Sequence, residues 1–206
     1  MNKQTLSSVF GAAFLLFGFI SSANAQVITF DGLGLNEEDP VTVDGFVFDY
    51  VDMDGWAIGL ANAGDEYDLA NEFDTGTDII TCRDTSDGEC KIIMTESGGA
   101  LFSLTSFDGA DGLLDIGGRT IVVTGTLSNG VTVVDIYTTV ASTFTTYSLP
   151  SNFTNLVSVE FWGFGRGDDM IAFDNINVSV IPVPAAVWLF GSGLIGLIGF
   201  ARRKRA

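Results

Sequence analysis

Acidic side chains are the most abundant chemically active groups in this chain. The sequence holds 26 aspartates and glutamates against nine lysines and arginines, and it contains no histidine. Without an imidazole, Ser–His and Cys–His nucleophiles and zinc coordination by histidine are excluded. Two carboxylates at a suitable separation can serve a glycosidase, but no motif singles out such a pair. We therefore expect no enzyme activity and no catalytic residue.

Two aspartates beside the predicted first and last strands are candidate calcium ligands. Asp31 follows the first strand and Asp174 precedes the last, and a jelly roll brings its chain ends together. Asp52 and Asp54 resemble the start of an EF-hand loop, but Ala63 stands where that loop needs a bidentate glutamate. Aspartates are also ordinary turn formers, so a structural calcium ion and a plain turn both stay open. The sequence indicates no other cofactor.

Trp162 is the aromatic residue that the sequence favours for carbohydrate contact. Val157, Val159 and Phe161 alternate along a predicted strand, and Trp162 is one position out of step with them. We therefore expect its side chain on the opposite face of the sheet, where an exposed indole could stack on a sugar ring. Most aromatic side chains of a sandwich lie in its core, which is the alternative. The other aromatic candidates for a stacking surface are Trp56, Tyr67 and Phe164.

The elements that position these residues are short strands. Apolar and polar residues alternate in five runs, at residues 41–50, 102–106, 131–137, 157–161 and 176–180. Asp-Gly, Gly-Gly and Asn-Gly pairs separate the runs, and Asn129-Gly130 predicts a two-residue hairpin turn. The pattern predicts an antiparallel all-β domain, and its size favours a sandwich of two packed sheets.

The first 25 residues are typical of a cleavable signal peptide. A basic start at Lys3 precedes an apolar run, which ends in small residues. Ala23 and Ala25 match an A-x-A cleavage site, so we place the cut between Ala25 and Gln26.

The C-terminal residues 182–206 indicate a short transmembrane helix. Every residue from Ala185 to Ala201 is apolar, glycine or serine, a length at the lower limit for a span. Pro182 and Pro184 keep the preceding segment extended. The chain then ends on a basic cluster, which would hold that end in the cytoplasm. The cluster consists of Arg202, Arg203, Lys204 and Arg205.

This tail resembles a PEP-CTERM sorting signal of the VPLPA type. The proline motif Pro182, Val183, Pro184 and Ala185 is followed by a glycine-rich helix and basic residues, with Val183 where that variant has leucine. The resemblance implies recognition by an exosortase, an integral membrane cysteine protease that removes the tail during export. A permanent membrane anchor is the alternative. The stretches VITFDGL at 27–33 and VSVEFWGFGRGDDMIAFDNINVSV at 157–180 also resemble the jelly-roll ectodomains of that family, which implies a jelly-roll β-sandwich.

The predicted domains are a signal peptide (1–25), a β-sandwich ectodomain (26–181) and the sorting signal (182–206). The ectodomain holds all 26 acidic residues but only four cations, a net charge of −22. Such a charge excludes nucleic acid as a partner and is compatible with divalent cations or neutral polysaccharide. Cys82 and Cys90 are the only cysteines; in an exported chain, this pair predicts a disulfide that closes a surface loop.

These features predict an exported, non-enzymatic surface or extracellular-matrix protein. The resemblance implies an exosortase as processing partner, transient anchoring in the inner membrane, and association with exopolysaccharide, which exosortase systems commonly accompany. A calcium-dependent adhesive or ligand-binding module is the second hypothesis, and a secreted hydrolase is the third.

Overall fold

Alternation of apolar and polar residues produces strands throughout the part of the chain that the structure, a computed structural model, describes. The described residues are 24–31, 40–52, 79–83, 90–111, 118–140, 143–164 and 170–181. Within them, no helix is long and apolar enough to cross a membrane. The strands are β1 (Asn24–Ile28), β2 (Val41–Val43), β3 (Phe46–Asp52), β4 (Ile80–Arg83), β5 (Cys90–Glu96), β6 (Leu101–Asp111), β7 (Thr120–Leu127), β8 (Thr132–Thr138), β9 (Thr145–Ser148), β10 (Leu156–Phe164) and β11 (Met170–Ile181).

The strands form an antiparallel β-sandwich of the jelly-roll type, as the sequence predicted. In one half, β11 pairs with β6, β6 pairs with β9, and β1 and β4 pair with different parts of β11. The other half has the order β2-β3-β5-β10-β7-β8. A single pairing between Leu156 of β10 and Phe102 of β6 joins the two halves. The described strands all belong to one compact unit, residues 22–182.

Aromatic side chains from both halves meet in one core. Phe107 of β6 is fully buried, and its ring lies 5.5 Å from Tyr137 and 5.5 Å from Phe161, both in the second half. Within its own half it lies 5.4 Å from Tyr147 and 5.8 Å from Phe173, all distances being between ring centroids. Phe107 therefore connects the two halves of the sandwich through its packing.

Two tyrosines also join the outer strands β8 and β9 in a reciprocal arrangement. The backbone oxygen of Ser148 is one of two acceptors that share the single proton of the Tyr137 hydroxyl on β8, at 3.0 Å, and the Tyr147 hydroxyl on β9 donates to the backbone oxygen of Thr138 at 2.9 Å. The Tyr137 hydroxyl also lies 2.7 Å from Asp135 Oδ2. Burial, the hydrogen bond to Asp135 and the charge of that carboxylate all raise the pKa of Tyr137 well above its ordinary value. The phenol thus keeps its proton and its donor role at alkaline pH, where an ordinary tyrosine begins to ionise.

The predicted hairpin at Asn129-Gly130 exists, but its turn is longer than predicted. The Gly130 amide donates to the Leu127 oxygen at 2.8 Å, and the Leu127 amide donates to the Val131 oxygen at 2.8 Å. Three residues, 128–130, therefore make the loop. Gly130 has a φ of 81°, the left-handed conformation that ends such a loop in place of a two-residue turn.

The predicted alternation along β10 is wrong at Val157. The register shifts between Leu156 and Ser158, so Leu156 enters the core while Val157 is 42% exposed. Beyond this bulge, Val159 and Phe161 point inward as predicted. The local sequence does not show the bulge because the inserted residue is itself apolar.

Candidate functional site

The outer face of the larger half presents side chains in rows that run across its strands. Register pairs β8 with β7, β7 with β10, β10 with β5, and β5 with β3. We call the first row the Trp162 row and the second the Glu160 row. The Trp162 row contains, in strand order, Ile136, Val122, Trp162, Lys91 and Val51. The Glu160 row contains Val134, Thr124, Glu160, Ile93 and Asp49.

Four residues make the β8 side of this face apolar, and we call them the platform: Trp162, Val122, Val134 and Ile136. Ile136 is 62% exposed and Val134 is 54% exposed, whereas Trp162 is half-buried and Val122 is buried. Neighbouring strands lie about 4.8 Å apart, so the platform extends about 10 Å from β10 to the outer strand β8. Both exposed residues of the platform are on β8, so its exposed apolar part is the β8 edge. Exposed apolar side chains that lie together mark an interaction surface more often than scattered ones do.

The placement of Trp162 follows from the packing of its neighbours on β10. Phe161 is buried in the core, so pleating sends the next side chain to the outer face. Gly163 occupies the next inward position, and a Cβ there would overlap with the side chain of Ile171 on β11. The strand therefore requires glycine after the tryptophan, because β11 fills the space beneath it.

Charged groups lie beside the platform. The Lys91 Nζ lies over the indole of Trp162, 5.3 Å from the ring centroid, in a cation–π contact. Glu160 precedes Trp162 by two residues on β10, about 7 Å along the strand, and Asp49 occupies the same row two strands away. The face is thus apolar at β8 and β7 and charged toward β5 and β3.

Sequence reasoning placed Trp162 on an outer face but missed the other three platform residues. Val122, Val134 and Ile136 lie on β7 and β8, and only strand pairing brings them beside β10. A signal was present in the run VTVVDIY at 131–137, where apolar residues occupy both phases of the alternation. An apolar residue on the solvent side of a strand is the feature that marks such a surface.

The two predicted calcium ligands occupy different environments. Asp174 lies within β11 and not before the last strand as predicted, because that strand already begins at Met170. Its side chain is buried, and the Asn175 backbone N–H donates to its Oδ1 at 2.7 Å. The side-chain amide of Asn175 donates to Asp174 Oδ2 at 3.2 Å. It also donates to Asp108 Oδ2, on the paired strand β6, at 3.0 Å. Asp31 is exposed, three residues beyond β1. In the described ranges no group of three or more Asp, Glu, Cys or His residues could hold a metal ion, and the calcium site stays a prediction.

The other side-chain predictions lie outside what the structure describes. Cys82 is in β4 and Cys90 begins β5, but their side chains are not among those described, so the disulfide stays a prediction. The side chain of Phe164 is likewise outside them, as are Trp56 and Tyr67 entirely.

The predicted signal-cleavage site lies in β1, and the predicted sorting site lies outside the described residues. Ala25 and Gln26 are in β1, opposite Ser179 and Val178 of β11. A cut between them would leave Gln26–Ile28 on the sheet, where the Gln26 amide donates to the Asp44 backbone oxygen at 2.9 Å. The signal peptide up to residue 23 and the whole sorting signal, 182–206, lie outside the described residues.

The chain is thus a jelly-roll β-sandwich with an apolar platform, which includes Trp162, on one outer face. No family model matches the chain, and no curated protein matches it. Among solved structures, the chain is similar to a variant of the family 29 carbohydrate-binding module CBM29-2 complexed with mannohexaose, with a TM-score of 0.44 and 12% identity over 77% of this chain and 92% of that one. It is also similar to TmCBM61 in complex with β-1,4-galactotriose, with a TM-score of 0.43 and 7% identity over 64% of this chain and 86% of that one.

Proposed function

We propose that this chain is an exported, non-enzymatic surface or extracellular-matrix protein that binds exopolysaccharide through the platform. The observation that carries the proposal is the outward position of Trp162, which shares its row with the exposed Ile136 two strands away, across the buried Val122. A flat apolar ring in a row with aliphatic side chains matches the C–H face of a pyranose, and a sugar that stacks on the face covered by Lys91 would displace that flexible side chain. Threonines on the same face, such as Thr124, supply hydroxyl groups that can bond to sugar hydroxyls.

The open form of this surface favours a long chain as ligand. The platform ends at β8, which pairs only with β7 among the described strands, so a polymer can continue past the edge of the sheet. A row of side chains across several strands can contact several consecutive sugar units. The proposed ligand is therefore an internal stretch of polysaccharide that crosses the strands.

Export and sorting form the second part of the proposal. The A-x-A site before Gln26 and the tail from Pro182 to Arg205 support removal of both ends, the first by signal peptidase and the second by an exosortase. The mature ectodomain would then be released from its transient inner-membrane anchor to the cell surface or matrix. Its strong negative charge is compatible with solubility there.

The intact mass of the protein recovered from its native cells and medium tests this processing. We expect a chain that begins at Gln26 and ends between Pro182 and Ala185. Under non-reducing conditions it should be two hydrogens lighter than the thiol form, because Cys82 and Cys90 are bridged. A mass that retains Ala206 would contradict sorting and make the tail a permanent anchor.

Replacement of Trp162 by alanine tests binding. We expect the affinity of the exported protein for uncharged polysaccharide to fall about 30-fold, because truncating a central aromatic contact costs about 2 kcal/mol at an interface. Affinity electrophoresis in gels that contain hydroxyethyl cellulose, galactomannan or the native exopolysaccharide fraction would measure it. Trp162→Phe should retain part of the affinity.

The matched control is Val27→Ala, which removes an exposed apolar side chain from β1 in the other half of the sandwich. Its retention on each polysaccharide should equal that of the wild type. Thermal melting of both variants separates lost binding from lost folding. Unchanged retention of a folded Trp162→Ala protein on every polysaccharide that the wild type binds would refute the role of the platform.

A further inference from the structure

The charges around the platform indicate which polysaccharides it can bind, according to the charge of the polysaccharide. Within the described face, Glu160 and Asp49 share one row, and Glu160 is about 7 Å from Trp162 along β10. Lys91 is the cation of the neighbouring row, and its ammonium group is held over the indole. Two carboxylates thus lie on the same face as one ammonium, and that ammonium is the group that a sugar stacked over the indole would displace.

We propose that the platform binds uncharged polysaccharide and rejects chains that carry carboxylate groups, with Glu160 as the main residue that sets this selectivity. The inference rests on the proposed function and names the class of its ligand. Glu160 lies directly between Thr124 and Ile93 in its row. A carboxylated sugar placed next to one stacked on Trp162 would therefore approach it closely.

Coulomb repulsion between Glu160 and a sugar carboxylate is large enough to lower the affinity for a carboxylated chain measurably. Two unit negative charges about 7 Å apart at a protein surface lower affinity by roughly 3-fold to 50-fold, depending on the effective dielectric constant. The ectodomain's net charge of −22 adds a repulsive field of longer range. Salt screens both terms, since the Debye length is about 10 Å at 0.1 M and about 3 Å at 1 M.

Matched probes that differ only in charge test the proposal. Each uncharged polysaccharide that the exported protein binds is compared with its own carboxymethyl derivative at low salt and at about 1 M salt. We expect the uncharged form to bind at least about 5-fold more tightly at low salt, and the difference to shrink at high salt. Equal or tighter binding of the carboxymethyl form at low salt would overturn the proposal.

Two variants separate a local charge from the overall charge. Glu160→Gln should raise affinity for the carboxymethyl probe several-fold and so lower the ratio of the two affinities. Asp44→Asn removes one negative charge at the exposed turn between β2 and β3, away from the two rows, and should leave that ratio unchanged. If both variants lower the ratio equally, the net charge and not Glu160 sets the selectivity.

Failure of this inference is distinguishable from failure of the proposed function. Binding of uncharged polysaccharide that depends on Trp162, without discrimination against carboxylates, would overturn only the role of Glu160. No binding of any uncharged polysaccharide would overturn the proposed function and this inference together.

Discussion

Replacement of Phe107 by alanine should lower the free energy of unfolding by about 3 to 5 kcal/mol, the usual loss for a fully buried phenylalanine. The ring contacts Tyr137 and Phe161 in one half of the sandwich and Phe173 in the other. Its removal would leave a cavity between the two halves that neither sheet can close without shifting strand register. Urea denaturation followed by tryptophan fluorescence measures the change.

The matched control for this substitution is Val134→Ala on the outer face. Val134 is 54% exposed, so its truncation should change stability by no more than about 0.5 kcal/mol. A loss below about 1 kcal/mol for Phe107→Ala would show that the ring is not packed at the centre of the core.

Replacement of Arg119 by methionine should lower the free energy of unfolding by a similar amount, about 3 to 5 kcal/mol. The Arg119 Nε lies 2.7 Å from Asp111 Oδ1, and the two side chains are only 5% and 1% exposed. The variant removes the Arg119 charge from beside the buried Asp111 carboxylate. The backbone of Arg119 also bonds with Thr139, so the pair anchors β6 and β7 next to the chain that follows β8.

Two further variants test the cause of this loss. Lys91→Met also replaces a cationic side chain by methionine, but at a half-buried surface position. There the cation–π contact with Trp162 contributes only about 0.5 to 1 kcal/mol. Combining Arg119→Met with Asp111→Leu removes both buried charges and should restore much of the lost stability. A double variant as unstable as Arg119→Met would show that packing, and not the uncompensated charge, is responsible.

The buried ion pair illustrates what the sequence did not reveal. Asp111 and Arg119 are eight positions apart and carry no motif, and each looks like an ordinary surface residue in the sequence. They meet because β6 ends and β7 begins at the same end of the sandwich. This ion pair forms only because the ends of two strands lie side by side, and the local sequence pattern does not predict that they do.

The turns also combine a feature that the local sequence predicts with one that depends on strand pairing. The sequence predicted turns at Asp-Gly and Asn-Gly pairs, and the chain does turn at Asp44-Gly45 and at Asn129-Gly130. Asp44 and Gly45 have φ values of 50° and 83°, as a two-residue turn of type I′ requires. Asn129-Gly130 lies instead in a three-residue loop, because the Leu127–Val131 pairing closes one residue further out. Turn chemistry locates a reversal, while strand register sets its length.

The sequence by itself determined the fold class, the inward face of most strands and the outward direction of Trp162. These follow from a side-chain period of two and from turn residues, which are local properties of the chain. Only the tertiary structure decided which residues surround that tryptophan. Val122 on β7 is its register partner, and Val134 and Ile136 lie one strand further, on β8; such pairings between distant segments depend on the packing of the whole core.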